Sequence, residues 1–301
     1  DFMQTTPVET GTFESFDGTP IYYEAHGEGE PLVLIYGIAC PINHWHYQIE
    51  YFSKKYKVVA FDLRGHYKSN PVADMRNLTM DSLGKDLLAL LAHLKIKKAH
   101  FAGHSFGAPL LLHLCDMKPE VIRSMVFING FAKNPIKGMF GLDVIEPFFY
   151  FVKNQYEQQP EVWKTLWKLA VENPMSMYLA ALAGGFNLKV ARFKDIEVYT
   201  RGVARMNLEV FLTLFEQLMK YDGESVLEKV EAPVLIISGE RDLVTPLRFQ
   251  YHFKEKIKHS EFVLVPYGSH CTQLDFPDYT NLKIEKFLED LKKSSAGKAK
   301  S

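Results

Sequence analysis

Three side chains of this sequence could together cleave an acyl bond: the hydroxyl of Ser105, the imidazole of His270 and the carboxylate of Asp242. A serine hydroxyl is a weak nucleophile at neutral pH. A histidine must take its proton as it attacks, and a carboxylate must orient that histidine and stabilise its charged form. Ser105 lies in Gly103-His104-Ser105-Phe106-Gly107, after the short run KKAHFA and before APLLLHLCDMK, whose apolar residues recur at helical spacing. A serine between two glycines on a strand-to-helix turn stands its hydroxyl out of the fold, and the glycines keep so tight a turn free of collisions. Asp242 follows VLIISGER and His270 follows FVLVPYGS, so each falls at the end of a strand-like run.

The elements that must position these groups alternate in type. The stretch GTFESFDGTPIYYEAHGEGE reads as a hairpin about Asp17-Gly18. PLVLIYG (31–37) and YKVVAFD are continuous apolar runs, as expected of strands covered on both faces, with a helical NHWHYQIEYFSKK between them. A helix is predicted over 79–94, where Leu83, Leu87, Leu90, Leu91 and Leu94 share a face. A strand at 99–102, the helix after Ser105 and the strand SMVFING (124–130) continue the series. Such alternation predicts an α/β fold with a mostly parallel central sheet flanked by helices.

The alternation stops near 131 and resumes near 232. In between lie helical patterns: Trp163, Leu166, Trp167 and Ala170 after Pro160, and Leu208, Phe211, Leu212, Phe215 and Leu218. Gly184-Gly185 should end a helix that starts at Pro174. The expected organisation is a core from 1–130 and 232–293, an inserted helical cap at 131–231 over the ligand-binding edge of the sheet, and a disordered tail at 294–301. The second part of the core reads as the strand APVLIISGERD, a helix from Pro246, the strand EFVLVPYGSH and a helix over 274–292.

Composition narrows the class of partner. The 301 residues are 47% hydrophobic and 24% charged with a net charge of −1, so no strong field points to nucleic acid or an anionic membrane. No apolar stretch reaches the length needed to span a bilayer, and FFYFV at 148–152 is far too short. Cys40, Cys115 and Cys271 have no metal-like spacing, which favours free thiols and a reducing, cytoplasmic compartment. The chain opens on Asp1, as a processed or trimmed chain would. No metal or cofactor is expected: His44 and His46 flank Trp45, but residues two apart on a helix do not converge on one ion.

The whole pattern resembles the α/β-hydrolase fold superfamily over nearly the full chain, through GHSFG, FDLRGHYKS, SGERDLVTP and GSH, and through the chain order Ser, Asp, His. The resemblance implies an oxyanion hole made by the backbone N–H groups of Phe106 and Ile38. It also marks departures. Tyr36-Gly37 stands where the family usually has His-Gly, and Tyr67 where its Asp-x-Arg-Gly-His-Gly pattern has glycine; both read as differences of specificity. Asn129 occupies a position that carries the acid in some relatives, but an amide cannot supply the charge, which leaves Asp242. Arg64 and Asp62 fit a structural network better than a substrate site.

Substrate contacts are expected from Tyr36, from His104 packed at the turn, and from Phe148, Trp163 and Trp167 among cap aromatics that mostly pack on one another. The apolar segment MFGLDVIEPFFYFV is expected to be buried over the active site instead of facing lipid. The expected activity is that of a carboxylesterase-like serine hydrolase working through an acyl-enzyme on a small ester with an apolar acyl or alcohol part. The alternatives are a carbon–carbon bond hydrolase for β-diketone-type substrates on the same triad, with amidase, thioesterase and peroxide-forming chemistry behind it. An answer of another class is a non-catalytic ligand receptor on the same fold. Oligomeric state is not specified by the sequence.

Overall fold

A computed structural model describes residues 9–137, 143–173, 201–203 and 205–298, with residues 175, 189, 192, 194 and 197 between them. Gly184-Gly185 and Pro174 lie outside the described residues. The strands are β1 (Glu9–Glu14), β2 (Pro20–His26), β3 (Glu30–Ile35), β4 (Tyr56–Phe61), β5 (Ala99–His104), β6 (Ile122–Ile128), β7 (Val234–Gly239) and β8 (Ser260–Val265). They form one eight-stranded sheet in the order β1-β2-β4-β3-β5-β6-β7-β8. The β1–β2 hairpin and the β2–β4 pair are antiparallel, and every other pairing is parallel.

The apolar runs of the central strands are continuous because helices cover both faces. Successive residues divide between two cores: Val33, Phe101, Phe127 and Ile236 enter one, while Leu34, Ala102, Val126 and Ile237 enter the other. The first core is closed by α2 (Met80–His93) and α3 (Gly107–Met117), the second by α1 (His46–Phe52) and the C-terminal helix Pro277–Lys298. Thr79 caps α2 by accepting from the Ser82 N–H at 3.1 Å. Arg64 is fully buried and gives its Nε and Nη2 N–H groups to the Asp86 carboxylate of α2, each at 2.7 Å, with a further 2.9 Å bond from Nη1 to Asp17 in the hairpin turn. Burial opposes ionisation of Asp17, but the bonds from Arg64, Asn77 and Thr19 outweigh it and hold its carboxyl below the usual carboxylate range. Arg64 is thus the structural strut expected of it.

Between β6 and β7 the described residues contain α4 (Ile145–Gln158), α5 (Pro160–Glu172), α6 (Leu208–Lys220) and the single turn α7 (Glu224–Leu227). An isolated bridge between Lys133 and Asp222 draws the entry and exit of this insertion together. Asn207 caps α6 through a 2.8 Å bond from the Glu209 N–H. That helix is apolar on more of its surface than the predicted stripe, because Val210 and Leu214 are buried as well. The core resumes with α8 (Leu247–Lys256) after β7.

Two expectations are corrected here. The last helix runs to Lys298, so 294–298 are helical where a disordered tail was expected. The segment containing VIEPFFYFV is not buried as a unit: Phe149 is buried, but Val144, Phe148 and Phe151 are exposed at i, i+4 and i+7 of one outward face. Cys40, Cys115 and Cys271 are free and buried. Among the described residues no helix is long and apolar enough to cross a membrane.

Candidate active site

Ser105 sits between β5 and α3 with φ 53°, in the left-handed region that a serine occupies only when its surroundings insist. Its N–H donates to the Ile128 carbonyl of β6 at 3.0 Å, which pins the turn to the neighbouring strand. The flanking glycines are required by close approach. A Cβ on Gly103 would come within 2.7 Å of the Gly107 backbone, and one on Gly107 within 2.6 Å of the Ile35 carbonyl oxygen.

The three candidate catalytic residues converge. The Ser105 hydroxyl is 2.9 Å from His270 Nε2, and His270 Nδ1 is 2.8 Å from Asp242 Oδ2. Asp242, buried in the loop after β7, also accepts from the N–H groups of Val244 at 2.8 Å and Thr245 at 2.9 Å. Its carboxylate is therefore saturated and cannot swing away from His270. The imidazole is consequently set with Nδ1–H toward the acid and the Nε2 lone pair toward the serine, the arrangement needed to accept the serine proton.

One supporting residue, Thr245, was not singled out from sequence. Thr245 Oγ1 lies 2.7 Å from Asp242 Oδ2, 2.9 Å from the Asn129 carbonyl and 3.2 Å from His270 Nδ1. The signal for it was an Asp followed three residues later by Thr at a helix entrance. Asn129 holds the histidine loop instead of serving as an acid. Its Nδ2 donates to the His270 carbonyl at 2.8 Å and its Oδ1 accepts from the Gly239 N–H at 2.8 Å, joining the loops after β6, β7 and β8. Its φ of 48° suits asparagine better than most residues.

The phenylalanine after Ser105 is buried, and Ile38 packs partly buried against the same core. Among the described residues neither N–H is taken by a hydrogen bond, so both are free to meet an oxyanion. The start of α3 at Gly107 adds partial positive charge at the same place. A backbone Cβ position on Gly37 lies 3.7 Å from Ser105 Cβ and 3.9 Å from Phe106 Cβ, which sets the Ile38 loop beside the serine.

The expected substrate-lining residues are not brought together. Tyr36 is buried beneath the loop with its hydroxyl on the Phe61 carbonyl, so it does not face a substrate. His104 is likewise buried: its ring lies 4.9 Å from that of His270 and its Nε2 is 2.8 Å from the His270 carbonyl. Burial above all, then His270 and His44 nearby, pushes its pKa well below the ordinary histidine value, so it is a neutral N–H donor that buttresses the loop. Phe148 is 65% exposed and points away from the core. Trp163 and Trp167 are half-buried in the insertion, Trp167 with its ring 5.4 Å from Phe211. Among the described residues no group of His, Cys, Asp and Glu is placed to hold a metal ion.

Comparison with known proteins agrees with this architecture. A family model described as the alpha/beta hydrolase fold matches residues 30–277. The chain is 23% identical over 280 residues to (E)-2-((N-methylformamido)methylene)succinate hydrolase of Acinetobacter baylyi, covering 92% of this chain and 97% of that protein. It is 26% identical over 274 residues to 3-oxoadipate enol-lactonase 2 of the same species, covering 89% and 92%. A thermophilic esterase from Thermogutta terrifontis superposes with a TM-score of 0.77 over 94% of this chain and 99% of that one, at 16% identity, a likeness of fold.

Proposed function

The chain belongs to the α/β-hydrolase fold family, and on that footing we propose that it is a serine hydrolase cleaving a carboxylic ester with an apolar acyl or alcohol part. The observation that carries this reading is the Ser105–His270–Asp242 relay, with contacts of 2.9 and 2.8 Å. His270 takes the Ser105 proton as Oγ attacks the carbonyl carbon, and Asp242 holds and stabilises the resulting imidazolium. The oxyanion is received by the N–H groups of Phe106 and Ile38. Collapse of the tetrahedral intermediate expels the alcohol, which takes the proton from His270. A water then gives a proton to His270, attacks the acyl-enzyme and releases the acid, restoring Ser105. In this reading the helices inserted between β6 and β7 act as a cap over Ser105 and select the substrate. The enol-lactonase among the relatives, which by its name acts on a lactone, supports ester chemistry; the hydrolase named for a formamido succinate is the reason to test nitrogen-linked acyl groups beside esters.

The test is labelling with a fluorophosphonate probe together with turnover of p-nitrophenyl esters of graded acyl length, amides and a β-diketone. Labelling at Ser105, abolished in Ser105→Ala, with esters turned over fastest, is the expected result. Faster cleavage of the diketone would move the assignment to carbon–carbon hydrolysis. Folded protein that takes no label would mean a receptor.

A further inference from the structure

The FDLRGHYKS segment after β4 is left unused by the acyl-transfer scheme, yet it reaches the loop that presents Ile38. The Ala39 N–H donates to His66 Nε2 at 2.9 Å, and the Tyr67 hydroxyl donates to the Ala39 carbonyl at 2.5 Å. Ala39 is buried and has φ 69°, a left-handed conformation that is strained for a residue with a Cβ and persists only where neighbours over-determine it. These two bonds supply that constraint, one on each side of the Ala39 α-carbon. We propose that His66 and Tyr67 are positioning residues that clamp Ala39 and thereby fix the oxyanion loop, holding the Ile38 N–H beside Ser105. The proposal rests on the acyl-transfer reading for its catalytic consequence.

The chemistry of both partners suits the task. His66 is buried with Nδ1 3.1 Å from the Arg64 carbonyl, so Nδ1 carries the proton and Nε2 offers a lone pair to Ala39. Burial pushes the His66 pKa down to about 4, against a smaller opposing effect of the Arg64 carbonyl, which keeps Nε2 an acceptor at neutral pH. Arg64 is itself anchored by Asp17 and Asp86, so the clamp ends on a rigid support. Tyr67 has φ 42°, where the related pattern has glycine. The chain accepts left-handed strain at a bulky residue, and what it gains is a hydroxyl on the oxyanion loop. Burial raises the Tyr67 pKa, so the hydroxyl stays a donor.

The clamp also touches the insertion. A Cβ on Gly202 would collide with the Tyr67 hydroxyl and lie 3.5 Å from Pro41 Cδ, and one on Gly65 would come within 2.7 Å of Val210 Cγ1 of α6. Both segments of the insertion therefore pack on the same two loops that carry the clamp.

The experiment compares wild type with Tyr67→Phe, Tyr67→Gly, His66→Ala and His66→Gln. Two readouts are used: steady-state kinetics with inhibition by an aryl boronic acid, and amide hydrogen exchange of the peptide spanning residues 37–40. Tyr67→Phe should lower kcat about 10- to 100-fold, less than the roughly 100- to 1,000-fold cost of removing an oxyanion donor outright, and weaken the boronate in parallel while KM changes less than about twofold. Tyr67→Gly, which relieves the strain and lacks the hydroxyl, should lose as much activity at an unchanged or higher Tm. His66→Gln, whose carbonyl oxygen can accept the Ala39 N–H, should keep more activity than His66→Ala. Exchange at residues 37–40 should quicken in Tyr67→Phe and His66→Ala. Unchanged exchange, or kcat and boronate affinity equal to wild type in Tyr67→Phe, overturns the clamp. Quickened exchange in a protein whose wild type takes no fluorophosphonate label would instead retain the clamp and remove the acyl-transfer reading.

Discussion

The loops at the ends of β5, β6 and β7 and the helices inserted between β6 and β7 are built on opposite terms. Around Ser105 the polar groups meet at short range: Asp242 accepts from Val244, Thr245 and His270, and Asn129 ties three loops together. In α4 and α5 the reverse holds, with Phe148, Phe151, Leu166 and Leu169 exposed to solvent. Hydrogen bonds of fixed length and direction specify one geometry, as an attack on a carbonyl requires. Apolar contacts are non-directional, so α4 and α5 are held with less geometric specification than the loops around Ser105. On the proposed reading, the reaction belongs to the first region and selectivity to the second.

The sharpest way to break this contrast is at the relay. Ser105→Ala and His270→Ala should each lower kcat by about four or more orders of magnitude in ester hydrolysis while the protein remains folded by circular dichroism. A residual rate near wild type would mean that the hydrogen-bonded region is not where the chemistry occurs. Next in size is the core that supports it. Phe127→Ala, at a fully buried site on β6, should cost about 3–5 kcal/mol in denaturant unfolding.

Asp62 gives a pH-dependent effect. Burial raises its pKa from 3.8 to about 6, against the opposing bond from the Lys68 N–H. The folded protein therefore holds a proton that the unfolded chain releases near pH 4, and the associated stability, fully present below that pH, is lost as pH rises through about 6. Asp62→Asn should accordingly unfold later than wild type at pH 7, by about 2–3 kcal/mol, with the advantage vanishing toward pH 4. Unfolding midpoints measured from pH 4 to 8 check the sign. A smaller change is expected from Thr245→Val, which removes one hydroxyl beside the Asp242 carboxylate and should reduce kcat about tenfold. Phe148→Ala should change stability by less than about 0.5 kcal/mol. A large loss there would show that the outer face of α4 is covered in solution.

The relay could be read from sequence because strand ends are written as abrupt stops of apolar runs, and Ser105, Asp242 and His270 each stand just past one. The apolar character of β3, β5, β6 and β7 followed for the same reason: strands covered on both faces need no polar alternation. Tyr36 misled because an aromatic next to a presumed oxyanion loop can point to either side of the sheet, and the carbonyl that receives its hydroxyl belongs to a different strand. Phe148 misled because α4 has aromatic residues around more than half its circumference, and periodicity does not say which of them turns inward. Asn129 was visible by position, but its role came from contacts with residues more than a hundred positions away.

By itself the sequence determined the order of strands and helices, the place of the insertion and the candidate nucleophile, acid and base, since burial leaves a one-dimensional record in the spacing of apolar residues. Only the tertiary structure decided that His66 and Tyr67 grip Ala39, that Thr245 and Asn129 brace His270, and that Phe148 faces solvent. Those outcomes depend on which distant backbone and side-chain groups approach within hydrogen-bonding distance, and no local pattern encodes that approach.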